Sequence, residues 1–340
     1  MTTVLVSGSA GFIGGYVVQE LLDRDYEVIG LDNYSKYGQL TRSYDDHLLY
    51  RFVEGDARDV ELMTGLVMEA DHFIAGAARI GGIAYFHEYA YDLIAENERI
   101  TAAACDAAIT AHHEARLQKV TYMSSSMVFE STNRWPSVEG DERRVPPPMS
   151  SYGFQKLAVE YFARAAFDQH RLPFTILRPF NCVGIGEARA LGDSEVLSGN
   201  VKLAMSHVVP DLIQKIHKGQ DPLHILGDGS QVRHYTYGGD LARGIVTAME
   251  NKAATNEDFN LSTATSTTVL ELAETIWKKM KAGVPFRYVN DPPFDHDVQR
   301  RVPSVDKARE VLGFEATTTL DEMLDEVIPW VTAAVDSGRI

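Results

Sequence analysis

The first 32 residues constrain the fold more than any other stretch of this chain. A short β-rich run, Thr3 to Ser7, leads straight into Gly8-Ser9-Ala10-Gly11-Phe12-Ile13-Gly14. A helical stretch from Gly14 to Arg24 follows, then a second strand, Glu27 to Leu31 (EVIGL), ending at Asp32. Strand, helix and strand within about thirty residues form the βαβ unit that a parallel sheet requires. Glycines between strand and helix let the backbone approach a pyrophosphate, and the helix N-terminus supplies N–H donors and the positive end of the dipole. The spacing is GxxGxxG rather than GxGxxG, and a tight turn alone could account for the glycines. Asp32 changes that reading. A carboxylate at the end of the second strand can accept hydrogen bonds from both ribose hydroxyls of NAD and repels a 2′-phosphate, so NAD is expected over NADP.

Strand-like runs recur at Tyr50–Val53, His72–Ala75, Lys119–Met123 and Phe174–Arg178, with helical stretches between them, notably Tyr91–Glu114 and Ser151–His170. Alternating elements with buried strands predict an α/β fold, a doubly wound parallel-sheet Rossmann domain. Arg134–Met149, with Pro146, Pro147 and Pro148, is expected to be a loop. After Arg178-Pro179 the pattern changes to a glycine-rich, acidic stretch (Gly184–Gly199), a helix near Val208–Lys218 and an amphipathic helix at Val269–Met280. These predict a smaller C-terminal α/β substrate lobe over 181–340, against a sheet domain of 1–180 that the chain rejoins by about 230–260.

Composition narrows the partners. A formal net charge of −16 argues against nucleic acid, which needs a basic surface, while leaving room for a basic pocket around a diphosphate. Two cysteines, Cys105 and Cys182, make neither a disulfide scaffold nor a four-ligand zinc site. His112-His113 and Asp295-His296-Asp297 are read as helix or loop ends, and no metal is expected. No basic stretch precedes an apolar run at the start, and no apolar run approaches the ~20 residues of a membrane span. A cytoplasmic chain with no membrane partner is the expectation.

The glycine loop with Asp32 resembles that of the extended short-chain dehydrogenase/reductase family, the nucleotide-sugar epimerases and dehydratases, and the resemblance runs over nearly the whole chain. It implies that Gly8, Gly11, Phe12, Ile13, Gly14, Asp32 and Asn33 hold NAD. Gly55-Asp56-Ala57-Arg58-Asp59 looks like the family's GDxRD segment, in which Asp56 and Ala57 meet the adenine side. Ala75–Ala78 resembles the strand end beneath the cofactor, with Ala77 in contact, and Asn97 matches an asparagine that braces the site. Tyr152-Gly153-Phe154-Gln155-Lys156 is the family's YxxxK, one helical turn that puts Tyr152 and Lys156 on one face. A phenol titrates near 10, and a neighbouring ammonium together with a positive nicotinamide is expected to bring Tyr152 closer to neutrality. Met123-Ser124-Ser125-Ser126-Met127-Val128-Phe129 resembles the strand end carrying the catalytic hydroxyl, which makes Ser125 its bearer. Asn181, after Arg178-Pro179-Phe180, and Arg233 and Arg301 resemble residues that hold a sugar nucleotide, arginine's planar fork being suited to a diphosphate.

The same resemblance separates reactions. Dehydratases of the family carry Asp-Glu directly after the hydroxyl position, and uronate decarboxylases keep the glutamate; here Ser126 and Met127 stand there, and a thioether moves no proton. Ala77–Ile83, with Gly81 and Gly82, resembles a loop of GDP-fucose synthases and GDP-mannose 3,5-epimerases, and Ser206–Pro210 resembles the segment that carries their histidine. Those enzymes pair that group with a cysteine where Met127 sits, leaving His207 open between proton transfer, substrate binding and a structural role. The reaction implied is 4-epimerisation of a UDP- or GDP-sugar through a transient 4-keto sugar. The alternatives are a 3,5-epimerase, a 4-keto-sugar reductase or, from another class, a non-catalytic nucleotide-sugar or NAD(H) sensor, against which the intact Ser125, Tyr152 and Lys156 speak. As in relatives, Tyr91–Glu114 and Ser151–His170 are expected to pair two copies of the chain as a homodimer.

Overall fold

The computed structural model describes residues 1–80, 89–187, 190, 195–203, 207–293 and 298–340. The first half alternates as the pattern predicts: β1 (Thr3–Ser7), α1 (Phe12–Asp23), β2 (Glu27–Asp32), β3 (Tyr50–Glu54), α2 (Val60–Met68), β4 (His72–Ala75), α3 (Ala90–Glu114), β5 (Lys119–Met123), α4 (Ser151–His170) and β6 (Phe174–Pro179). The lobe that follows comprises β7 (Cys182–Val183), β8 (Val196–Ser198), β9 (Val201–Leu203), α5 (Val208–His217), β10 (Leu223–Leu226), β11 (Val232–Arg233) and β12 (Thr236–Tyr237). The chain then forms α6 (Gly238–Glu250) and β13 (Glu257–Leu261), and finishes with β14 (Thr267–Thr268), α7 (Val269–Met280), β15 (Tyr288–Asp291) and α8 (Leu320–Asp336).

Seven parallel strands make the main sheet in the order β13-β6-β5-β4-β1-β2-β3. The two-residue period of a strand decides which face each side chain serves. Val4 and Val6 of β1 join a core with α1 and α6, while Leu5 between them joins the opposite core with α2, α3 and α4. Both faces are therefore covered, as a parallel sheet demands. The order reverses between β1 and β4, the switch point at whose carboxyl ends ligands bind in such sheets. The C-terminal lobe has its own core, in which Leu212, Ile213 and Ile216 of α5 meet Trp277 of α7 and Leu324 and Val327 of α8.

Several helix boundaries follow from caps. Ser150 accepts from the Gly153 amide at the start of α4. Thr268 with Glu271 and Thr319 with Glu322 form complete capping boxes on α7 and α8. The proline-rich connection is irregular as expected, apart from a 3-10 turn at Asp141–Arg143. No described helix is long and apolar enough to cross a membrane.

At the amino end of β5, Lys119 is buried and its Nζ donates to the Ala248 carbonyl at 2.9 Å, terminating α6. Burial pushes this ammonium down to about 8 from 10.5. The unfolded chain thus holds a proton that the folded one releases, and this group's contribution to stability rises as pH climbs between those values. Urea unfolding of wild type and Lys119→Met is expected to show the wild type gaining on the variant from pH 8 to pH 10. A difference that does not vary with pH would refute it.

Candidate active site

The cavity at the switch point measures about 720 Å³ and runs from the β1–α1 loop into the C-terminal lobe. Its first limb rests on two glycines. Gly8 has φ +78°, and a Cβ there would meet the Ala77 amide nitrogen at 2.9 Å; a Cβ on Gly14 would be driven into the Gly8 carbonyl oxygen. Residues 8 to 14 therefore lie flat against the end of β1, and Gly11 precedes α1 as an N-cap without a side chain, with no acidic residue in the helix's first turn. Its opening N–H groups are thus available to an anion. Asp32 is fixed by the Ala10 amide, donating to Oδ2 at 3.1 Å, and the Tyr34 amide, donating to Oδ1 at 2.8 Å. Burial pushes its carboxyl up, and those amides together with the Arg42 charge pull the other way.

Phe12, Ile13, Asn33, Asp56, Ala57 and Ala77 line the same limb. Asp56 is engaged within the chain, because Arg58 Nη2 donates to Oδ2 at 2.6 Å and holds the carboxyl below its usual range. Asn97 accepts from the Arg79 amide at 2.7 Å and donates to the Arg79 carbonyl at 2.9 Å, bracing the chain beyond β4. The uncapped helix start, the side-chain-free cradle and the strand-end carboxylate fit a dinucleotide.

The second limb is chemical. Ser125 caps a 3-10 turn, Ser126–Phe129, accepting from the Met127 amide at 3.2 Å. Tyr152 and Lys156 rise from the first turns of α4, where Ser150 is held by Glu130: the Ser150 amide and hydroxyl both donate to Glu130 Oε2, at 2.9 and 2.8 Å. Tyr152 is buried, and burial raises its phenol above the ordinary value, opposed by a hydrogen bond with Ser125 and by the charge of Arg301. Lys156 Nζ donates to the Met123 carbonyl at 2.9 Å and lies 6.0 Å from the Tyr152 ring centroid, and burial pushes it down to about 8. Met127 is buried with Leu93 and Tyr152 in one apolar cluster.

Asn181 carries φ +37°, a left-handed conformation that asparagine tolerates better than most residues, and its buried Oδ1 has no hydrogen-bond partner among the described residues. The Arg301 amide donates to the Val232 carbonyl at 3.1 Å, which sets Arg301 beside Arg233 at the cavity wall. His207 stands at the start of α5 and is ion-paired with Glu187. Burial works against the imidazolium, yet Glu187 outweighs it and the histidine's pKa is raised. All the expected site residues among those described line this one cavity; Gly81 and Gly82 lie outside the described residues, as do Ser206 and Asp295-His296-Asp297. Glu187, Glu130 and Arg42 were not legible in sequence. Glu187 sits in the acidic stretch after β7, Glu130 five residues beyond Ser125, and Arg42 in the loop after β2, where its Nη2 donates to the Ala10 carbonyl at 2.9 Å. No motif marks them. Among the described residues no group of three or more His, Cys, Asp or Glu side chains is placed to hold a metal.

A doubly wound sheet with a phosphate-sized cradle at its switch point and a buried phenol one strand away is the architecture of the extended short-chain dehydrogenase/reductases. Residues 4–262 match the model of the NAD dependent epimerase/dehydratase family, and the chain belongs to that family as an NAD-dependent enzyme. It is 29% identical over 346 residues to the UDP-glucose 4-epimerase of Bifidobacterium longum (98% of this chain, 97% of that one). With the Bacillus subtilis UDP-glucose 4-epimerase the identity is 27% over 358 residues (99% and 98%). The crystal structure of Thermotoga maritima UDP-glucose 4-epimerase with UDP-glucose superposes with a TM-score of 0.81 at 26% identity, covering 98% of this chain and 100% of that one. Purified protein is expected to release NAD on denaturation; mainly NADP would contradict the reading of Asp32.

Proposed function

We propose that this enzyme is a nucleotide-sugar 4-epimerase, with a UDP- or GDP-linked sugar as substrate. The observation that carries this reading is the apolar packing of Met127 with Leu93 and Tyr152, with Met127 and Tyr152 lining the cavity beside Ser125 and Lys156. One hydroxyl proton can be handled there, and the Met127 position offers no base for a proton on carbon. The sheet domain, rejoined by α6 and β13, holds NAD, and the C-terminal lobe holds the nucleotide-sugar. Bound NAD supplies reversible hydride exchange at the sugar carbon. The chain's own residues handle the hydroxyl. Tyr152 Oη takes its proton and returns it, Ser125 Oγ hydrogen-bonds the reacting oxygen, and Arg301 favours the phenolate. Asn181, whose side-chain oxygen is buried without a partner among the described residues, supports a polar substrate contact, and Arg233 and Arg301 suit the diphosphate.

The Glu187–His207 pair favours a second reading, a 3,5-epimerase, because an imidazole at the cavity wall, ion-paired with Glu187, is a candidate base. A panel of UDP- and GDP-sugars run in deuterated water separates the two. Four-epimerisation is expected with no deuterium at carbon, and Tyr152→Phe is expected to abolish it while keeping fold and NAD. Deuterium at C3 or C5 that disappears in His207→Ala would overturn the preferred reading. We also propose a homodimer through α3 and α4, supported by Tyr91, Phe154, Tyr161 and Phe162, all exposed on those helices. Light scattering at micromolar concentration is expected to give twice the chain mass, and a monomer would refute it.

A further inference from the structure

Behind the site lies a set of buried charges that the reaction as derived does not use. Glu160 falls on the face of α4 that carries Tyr152 and Lys156, one turn beyond the lysine. Its Oε1 accepts from Ser124 Oγ at 2.7 Å, and that hydroxyl also lies 3.4 Å from the Lys156 carbonyl oxygen. Ser124 is the chain neighbour of Ser125. Arg178 binds the same carboxylate as a fork, Nε to Oε1 at 2.7 Å and Nη2 to Oε2 at 2.6 Å, from the end of β6 that leads to Asn181. Arg178 also meets Asp258 of β13 at 2.7 Å and Glu142 of the 3-10 turn at 3.3 Å, and the Arg178, Glu142 and Glu160 side chains are at most 2% exposed.

Such a cluster is weak as a source of stability, because desolvating the ions offsets most of their attraction. What it does provide is direction. A guanidinium fork matched to one carboxylate fixes both groups in plane and in distance. Glu160 alone among the three carboxylates on Arg178 also reaches a residue adjoining the site. Asp258 shares Arg178 Nη2 with Glu160 but turns to other cations, making ion pairs with Arg164 and Lys307 rather than a link to Ser124.

We propose that Glu160 is a positioning residue for the reaction: through Ser124 and Arg178 it holds the Ser125 turn, the Tyr152–Lys156 helix and the strand leading to Asn181 in one register. The proposal rests on the epimerase reading for what the register serves, and on geometry alone for its existence. Glu160→Gln removes the charge at the hub, Ser124→Ala removes only the link to the Ser125 turn, and Asp258→Asn perturbs the same arginine without touching that link.

With a sugar that the wild type turns over, Glu160→Gln and Ser124→Ala are expected to lower kcat about tenfold, the scale of a small misplacement of reacting groups, with KM and NAD content nearly unchanged. Asp258→Asn is expected to lose thermal stability but keep kcat, and the Glu160→Gln/Ser124→Ala double variant to be no worse than the poorer single one. A readout independent of turnover is the titration of the Tyr152 resonance in protein labelled with ¹³C at the tyrosine ring carbon bearing oxygen, identified by its loss in Tyr152→Phe. It is expected to shift in Ser124→Ala and Glu160→Gln and to stay in place in Asp258→Asn. If kcat falls in step with thermal stability in all three, or the resonance does not respond to Ser124→Ala, the proposal is wrong. Should Glu160→Gln fail to fold, Ser124→Ala decides. A wild type inactive on every sugar would sink the epimerase reading, while the tyrosine titration would still judge the register.

Discussion

The carbonyl of Gly8 occupies the space where residue 14 would otherwise carry a side chain. From that contact the geometry of the dinucleotide limb follows. Because α1 begins so close to the end of β1, its first N–H groups open toward the cavity rather than toward solvent, and the Ala10 amide comes within reach of Asp32 on the neighbouring strand. Asp32 in turn orders Tyr34 at the start of the next loop, and the same loop sends Arg42 back to the Ala10 carbonyl. A methyl group at position 14 would therefore disturb more than packing. It would separate the helix from the strand that aims it.

Charge in the cavity differs from charge on the chain. Overall the chain carries 48 acidic residues against 32 lysines and arginines. The described residues lining the cavity include seven lysines and arginines and six acidic side chains. With Asp56 paired to Arg58 and Glu96 to Arg79 inside that lining, the cations still match the acids, so the cavity is less negative than the chain as a whole. A multiply charged anion can approach such a site on an acidic protein. Burial sets the chemistry on the other side of the balance, since it discourages both the Tyr152 phenolate and the Lys156 ammonium, and Ser125 and Arg301 moderate it at the phenol.

What the sequence revealed was local or strongly patterned. The limits of α4 and α7 coincide with those read from sequence because caps terminate them, Ser150 in one case and Thr268 with Glu271 in the other. The glycine loop and YxxxK carry their meaning within a few residues, so their place in the site was legible. Glu187 was not, because its role depends on His207, twenty positions on and across a chain reversal. Glu130 and Arg42 act through backbone groups of segments that the fold alone brings near. Spacing puts Lys156 one turn from Tyr152, but the turn of its ammonium toward the Met123 carbonyl depends on where β5 ends, which a helical period does not give.

The edge strand β13 has a consequence for how the molecule comes into being. Glu257 pairs with Thr175, so the sheet cannot close until the intervening chain, β7 through α6, has left the ribosome. Contacts this distant along the chain close slowly, since loop entropy must be overcome before they give any return. During synthesis the first six strands of the main sheet can pair with their neighbours as they emerge, while the open side of β6 stays bare and the ion cluster lacks Asp258. That bare side is an unpaired strand edge, the kind of surface that sticks to other chains. Tyr152 and Asn181 are thus synthesised early but acquire their final surroundings late, and a nascent chain stalled before residue 257 would present an adhesive edge in place of a finished enzyme.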